Sequence, residues 1–274
     1  MEAYTGFAQV YDLFMEDVPY EAWRDFLVDI LHREGISDGL VCELGCGTGR
    51  MTRLLAQSGY DMIGIDASQE MLSIARENES EGILYLAQDM REFELYGTVR
   101  AIVSICDSMN YLLEEEDLLQ VFKLVNNYLD PGGIFLFDLN TEYKFRELMG
   151  TQTFSEHRAE GSLVWDNYYD EETKLNEYAL TIFLRQEQEL YRRYEEVHYE
   201  RSYGLAEVVQ LLEQAGLRFV CACDGGDRGA VREDSERIYV LARECEKGDA
   251  GGRGTLEEGE RGLLPVPFPE CKEP

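Results

Sequence analysis

The segment Leu40-Val41-Cys42-Glu43-Leu44-Gly45-Cys46-Gly47-Thr48-Gly49-Arg50 restricts the fold more than any other part of the chain. A short apolar run ends in an acid, and three glycines follow at alternate positions. A helical spacing (Met51, Leu54, Leu55) begins directly after them. This pattern predicts a strand, a tight turn and a helix start. Glycine has no Cβ and adopts left-handed backbone angles freely, so a ligand can lie against bare backbone there. The helix N-terminus adds unpaired N–H groups and a partial positive charge. A dinucleotide turn reads G-x-G-x-x-G and seats a pyrophosphate. Here the spacing is G-x-G-x-G with Glu43 before it, which disfavours a pyrophosphate and suits an ammonium or sulfonium.

The same strand–acid arrangement recurs downstream. Tyr60–Asp66 is apolar and ends in an acid seventeen residues past Gly49, the reach of one helix and a return strand. A carboxylate at such a strand end accepts hydrogen bonds from both hydroxyls of a ribose. Nicotinamide enzymes use the same device, so Asp66 alone does not choose between nucleosides. Ala67-Ser68 opens the next helix, with Ser68 as N-cap. Residues 83–87 form a third strand, followed by Gln88-Asp89-Met90. Residues 99–106 form a fourth, followed by Asp107-Ser108-Met109-Asn110-Tyr111. A helix over 114–128 is stopped by Pro131-Gly132-Gly133, and a fifth strand covers 134–139. Ligands of open α/β sheets bind outside the carboxyl ends of the strands. Cys106 and Asp107 are therefore expected beside the glycine turn.

The sequence Glu43-Leu44-Gly45-Cys46-Gly47-Thr48-Gly49, followed in order by Asp66 and by Gln88-Asp89-Met90, resembles class I S-adenosylmethionine (SAM)-dependent methyltransferases. The resemblance covers residues 37–140 in its motifs and 204–243 by architecture. It is nearest to small-molecule enzymes, including sugar and amine N-methyltransferases. It implies SAM as cofactor, S-adenosylhomocysteine as product, and a cofactor site drawn from Tyr4, Glu43, Gly45, Cys46, Gly47, Asp66, Ala67, Asp89, Met90 and Cys106. In the family the acid at the position of Asp89 accepts from the adenine amino group and the next residue, here Met90, packs on the ring. An N-terminal segment often closes over the cofactor, which would turn Tyr11 toward the sulfonium or the acceptor. DNA methyltransferases of the amino type carry N/D-P-P-Y/F after the fourth strand; this chain has Asp107-Ser108-Met109-Asn110.

The implied reaction is in-line displacement at the SAM methyl by an amine or hydroxyl of a small molecule. SAM supplies the hard chemistry, and the protein supplies orientation and a dry pocket. Tyr11, Tyr111 and His198 are the candidate catalytic residues; Asn110 is a further polar group within reach of an acceptor. His198 has the reference pKa closest to working pH, although a lone strand histidine also serves structurally. An amine acceptor needs little general-base help, so all three can act by positioning alone. Two other classes stay open: a non-catalytic SAM-binding module and an NAD-dependent oxidoreductase.

The expected fold is α/β, a Rossmann-like seven-stranded, mostly parallel sheet with helices on both faces, plus an inserted antiparallel β lid. Residues 1–36 read as an N-terminal helical cap, and 37–141 with 203–244 as the SAM-binding domain. Residues 142–202 read as a β-rich acceptor lid, because Tyr, Thr, Val and Trp partly alternate with polar residues there. Trp165, Tyr168, Tyr169 and Tyr178 are its candidate pocket aromatics. Residues 245–274, rich in Gly, Glu, Arg and Pro, read as a disordered tail. A formal net charge of −30 argues against nucleic acid and anionic membranes as partners. With no signal-like N-terminus and no C-x-x-C pair among seven cysteines, a reducing cytoplasm is expected. Three histidines without a ligand-like cluster predict no metal. Nothing in the sequence fixes the oligomeric state.

Overall fold

The computed structural model describes residues 8–78, 82–187, 190–245 and 247. Tyr4, and all of the tail except Cys245 and Lys247, lie outside the described residues. Two short helices come first, α1 (Ala8–Phe14) and α2 (Tyr20–Arg33). An alternating series follows: β1 (Gly39–Leu44), α3 (Arg50–Gln57), β2 (Tyr60–Asp66), α4 (Gln69–Glu77), β3 (Leu84–Ala87), β4 (Val99–Ser104), α5 (Glu115–Tyr128) and β5 (Leu129–Asn140). Four antiparallel strands then form a sheet of their own: β6 (Thr153–His157), β7 (Gly161–Asp170), β8 (Leu175–Arg185) and β9 (Tyr191–Arg201). The chain returns through α6 (Leu205–Gln214), β10 (Leu217–Asp224) and β11 (Arg237–Glu244).

The main sheet has seven strands in the order β10-β11-β5-β4-β1-β2-β3. All pairings from β5 to β3 are parallel, and β11 runs antiparallel to both of its neighbours. The central strands are apolar on both faces, as a covered parallel sheet requires. In β5, Ile134 and Leu136 pack with Leu27 and Leu31 of α2 and Leu55 of α3, while Phe135 and Phe137 pack with Phe122 of α5 and Leu212 of α6. Strand order reverses between β1 and β4. Their carboxyl ends therefore diverge beside the glycine turn and open a crevice.

The seven-stranded sheet and the separate antiparallel sheet agree with the sequence reading. Three local features differ. β5 begins at Leu129, five residues before the predicted start, because the Pro131-Gly132-Gly133 turn is absorbed as a bulge between the Val99–Leu129 and Ala101–Ile134 pairings. A π-helical turn (Lys144–Met149) and the edge strand β6 occupy a stretch with no clear periodicity. No helix among the described residues is long and apolar enough to cross a membrane.

Candidate active site

The pocket at the carboxyl ends of β1, β2 and β4 has a volume of about 840 Å³, within the range of small-ligand clefts. Its floor is the glycine turn. Gly45, Gly47 and Gly49 have φ of 72°, 52° and 72°, the left-handed region that glycine alone enters without cost. A Cβ built on Gly47 meets no atom within 4 Å. One on Gly45 falls 2.4 Å from Ser108 Oγ. The turn is thus bare toward the pocket at Gly47 and tight against the β4 loop at Gly45.

Asp66 holds this turn in place. Its Oδ2 accepts the Gly47 N–H at 2.7 Å and its Oδ1 accepts the Ser68 N–H at 2.8 Å. Burial raises its pKa, and the two backbone donors oppose that rise. Ser68 caps α4 as predicted, its Oγ accepting from Met71 N–H at 3.2 Å. Glu43 is buried and accepts from Thr52 Oγ1 on α3. Burial pushes its carboxyl up to about 8, with the Thr52 hydrogen bond working against it.

The residues assigned to the cofactor come together. Glu43, Gly45, Cys46, Gly47, Asp66, Ala67, Asp89, Met90 and Cys106 all line the pocket. Asp89 reaches it differently from expectation. Both of its oxygens are engaged by Arg91, with Nη2 2.6 Å from Oδ2, and Arg91 continues to Asp117 at 3.2 Å. That ion pair pulls the Asp89 carboxyl below its ordinary value.

Tyr11 and Tyr111 both line the pocket. Tyr11 Oη lies 3.7 Å from Cys106 Sγ, and Asp12 accepts from Thr48 Oγ1 at 2.7 Å, tying α1 to the glycine turn. His198 is buried and contributes no atom to the pocket wall. It lies behind Tyr111, with Nδ1 3.3 Å from the Tyr111 hydroxyl and Nε2 3.2 Å from Glu196. In the tautomer whose Nε2–H donates to Glu196, Nδ1 is left to accept from the phenol.

Asn110 is structural rather than pocket-facing. Its Nδ2 donates to the carbonyls of Asn140 and Arg201, and its Oδ1 accepts the Asn140 N–H. Among the described residues, the second sheet gives no wall residue to the pocket. Tyr168 is exposed, Tyr169 is stacked on Phe145, and Trp165 lies edge-on to Tyr178. The sheet acts from behind instead: Leu163, Leu180 and Ile182 pack on Val10 and Phe14 of α1, and β9 carries His198.

Sequence reasoning missed Tyr20, Arg50 and Arg91 as pocket residues. Tyr20 opens α2 and looks like one more core aromatic; its ring carries the Arg50 guanidinium at 4.4 Å. Only the fold brings those two together. Carboxylates dominate the wall, with Glu43, Asp66, Glu70, Asp89, Glu114 and Asp117 against Arg50 and Arg91.

A bare glycine backbone, a buried acid at the first strand end and a half-buried acid at the second suit a nucleoside carrying positive charge. The comparisons agree. The methyltransferase domain family matches residues 41–133. YqeM of Bacillus subtilis, whose name assigns it provisionally to the methyltransferases, is 34% identical over 245 residues, covering 88% of this chain and 96% of that protein. The chain belongs to the SAM-dependent methyltransferases. A crystal structure of a SAM-dependent methyltransferase from Clostridium acetobutylicum superposes with a TM-score of 0.79 at 30% identity, covering 89% of this chain and all of that one. SAM-bound CalS10, an amino pentose methyltransferase from Micromonospora echinaspora, has the same fold at 15% identity, with a TM-score of 0.69 over 89% of this chain and 98% of its own.

For this methyltransferase, Asp66→Ala is expected to weaken SAM binding by about 1–3 kcal/mol, through lost charge-assisted hydrogen bonds and a loosened turn. Calorimetric titration checks this, with a parallel unfolding curve to confirm that the variant is folded. An unchanged affinity in a folded variant would remove Asp66 from the cofactor site.

Proposed function

We propose that this methyltransferase acts on a nitrogen or oxygen of a small molecule, and that Tyr11 and Tyr111 position that acceptor. SAM, when bound, would supply a methyl group on a sulfonium, its carbon bonding to the acceptor's lone pair as the C–S bond breaks and its electrons pass to sulfur. The observation that carries the reading is the closure of the pocket by α1, with Tyr11 reaching Cys106 and Asp12 reaching Thr48. A helix pinned across this end narrows the approach to the pocket, which suits a small acceptor. The acidic wall repels phosphate, which disfavours a duplex as substrate. The structural neighbour CalS10 is an amino pentose methyltransferase, which supports an acceptor of this size.

Glu43, Asp66, Asp89 and Met90 are the residues that would hold the cofactor. Tyr111 is backed by His198 and Glu196, a chain that fixes the phenol. The test is transfer of labelled methyl from SAM to a panel of paired amines and alcohols, including amino sugars and their hydroxy counterparts. Label is expected in a low-mass product, and Tyr111→Phe is expected to lower kcat about 10- to 100-fold. Label appearing only in nucleic acid or protein substrates would overturn the reading.

A further inference from the structure

Among the described residues, the carboxylate-rich pocket wall holds two cations, Arg50 and Arg91. Arg91 is spent on acids: Nη2 lies 2.6 Å from Asp89 Oδ2, and Nη1 lies 3.2 Å from Asp117 Oδ2. Arg50 has no carboxylate partner among the described residues. Its Nη1 donates to the Met15 carbonyl at 3.2 Å, and its guanidinium lies 4.4 Å over the Tyr20 ring. Tyr20 lines the pocket too. Arg50 is the first residue of α3, directly after Gly49. Side chains on a helix lean toward its N-terminus, so one at this position reaches back over the glycine turn.

The glycine turn itself has little to offer an anion. Gly45 N–H and Cys46 N–H both donate to the Ile65 carbonyl, at 2.8 and 3.0 Å. Gly47 N–H donates to Asp66 Oδ2 at 2.7 Å, and Gly49 N–H donates to the Cys46 carbonyl at 2.8 Å. Four of the five backbone donors from Gly45 to Gly49 are thus committed within the protein. SAM brings three charges, a sulfonium, an α-ammonium and an α-carboxylate. The acidic wall suits the first two and repels the third. A carboxylate taken out of water needs a charged partner, and it must come from a side chain that the protein has not already paired.

We propose that Arg50, held on the Tyr20 ring, receives the α-carboxylate of the cofactor, and that this contact selects adenosyl ligands with an intact amino-acid end over decarboxylated ones. The proposal rests on the methyl-transfer reading above and gives the bound cofactor a direction, with its amino-acid end toward Tyr20 and the start of α3. A guanidinium stacked on an aromatic ring keeps its edge for in-plane hydrogen bonds, and that planar edge matches a carboxylate. Stacking also fixes the side chain before the ligand arrives. Met15 follows α1 directly, so the same guanidinium joins the end of that helix to the cofactor site. Arg50 touches the cofactor in this reading, and Tyr20 acts only through Arg50.

Two ligands test this without the natural acceptor: S-adenosylhomocysteine and its decarboxylated form, which ends in a plain propylamine. They share the adenosine, the sulfur and the ammonium, and differ only in the α-carboxylate. Calorimetry on the full chain is expected to show S-adenosylhomocysteine binding about tenfold tighter or more, the equivalent of one charge-assisted hydrogen bond. The acidic wall works against that result, because it favours the more positive, decarboxylated ligand. In Arg50→Gln the two are expected to bind within about threefold of each other, with S-adenosylhomocysteine weakened and the decarboxylated ligand keeping its affinity. Arg50→Lys keeps the charge and loses the planar edge, and its preference is expected to lie between those of the wild type and Arg50→Gln. If Arg50 only supports the fold, its removal weakens both ligands alike, and that outcome would overturn the proposal. So would a preference that survives in Arg50→Gln, or equal affinities in the wild type, a comparison that needs no variant to fold. Failure of both ligands to bind the wild type would bring down the methyl-transfer reading itself, and this proposal with it.

Discussion

Arg237→Ala is expected to destabilise the fold by about 3–5 kcal/mol, the cost of breaking a buried pair from one side. The guanidinium ties three segments that are far apart in sequence: the loop after β4 through Asp107, β5 through Asp138, and α2 through the Trp23 ring 5.5 Å away. Removing it strands Asp138, which has no solvent contact, and frees Asp107 to repel Asp138. Burial already pushes Asp138 above its usual value, with Arg237 as the main opposing influence. The variant should therefore take up a proton at Asp138. Arg237→Lys keeps the charge but not the two-armed geometry, and recovers only part of the loss. Chemical denaturation with an unchanged slope reads both values. A loss below about 1 kcal/mol for Arg237→Ala would mean that the cluster is hydrated and that its charges are screened.

This cluster also marks where reading the sequence stops. The cofactor half of the site is written locally. Glu43 and the three glycines lie within seven residues, and Asp66 and Asp89 each close a strand whose apolar run is plain. Strand-end chemistry in an open sheet is a one-dimensional signal, because topology puts every such end on one edge. The buried ionic cluster is different. Asp107 and Arg237 are 130 positions apart, and Lys144 sits in a turn with no periodicity. Glu200 stands one residue from Tyr199 on an alternating strand and looks like another exposed acid, yet it is buried. Which face of β9 turns inward depends on its register with β8, where Asn176 pairs with Glu200 and Tyr178 with His198. A one-residue slip would expose every one of these groups. The same dependence explains why His198 was legible as a candidate while its place behind Tyr111 was not, and why Tyr168 and Tyr169, adjacent in sequence, have opposite fates.

The second large effect falls on the turn itself. Gly45→Ala is expected to cost about 2–4 kcal/mol of stability and to weaken SAM binding sharply. Two independent penalties combine. A φ of 72° is unfavourable for any residue with a Cβ, and the new methyl group would stand 2.4 Å from Ser108 Oγ and 2.6 Å from Ser108 Cβ. A hydroxyl can rotate away, but the Cβ can withdraw only if the loop after β4 moves, and that loop carries Cys106 and Asp107. Overpacking of this kind typically costs 1–3 kcal/mol. The two penalties can be separated. Ser108→Gly in the Gly45→Ala background removes the clash and leaves the backbone strain, so the double variant should regain about half of the lost stability and most of the lost SAM affinity. Rescue of affinity would show that the turn and the β4 loop act on the cofactor as one unit. A double variant that binds no better than Gly45→Ala alone would mean instead that left-handed geometry at Gly45 is the whole requirement, and that the close approach of Ser108 contributes nothing.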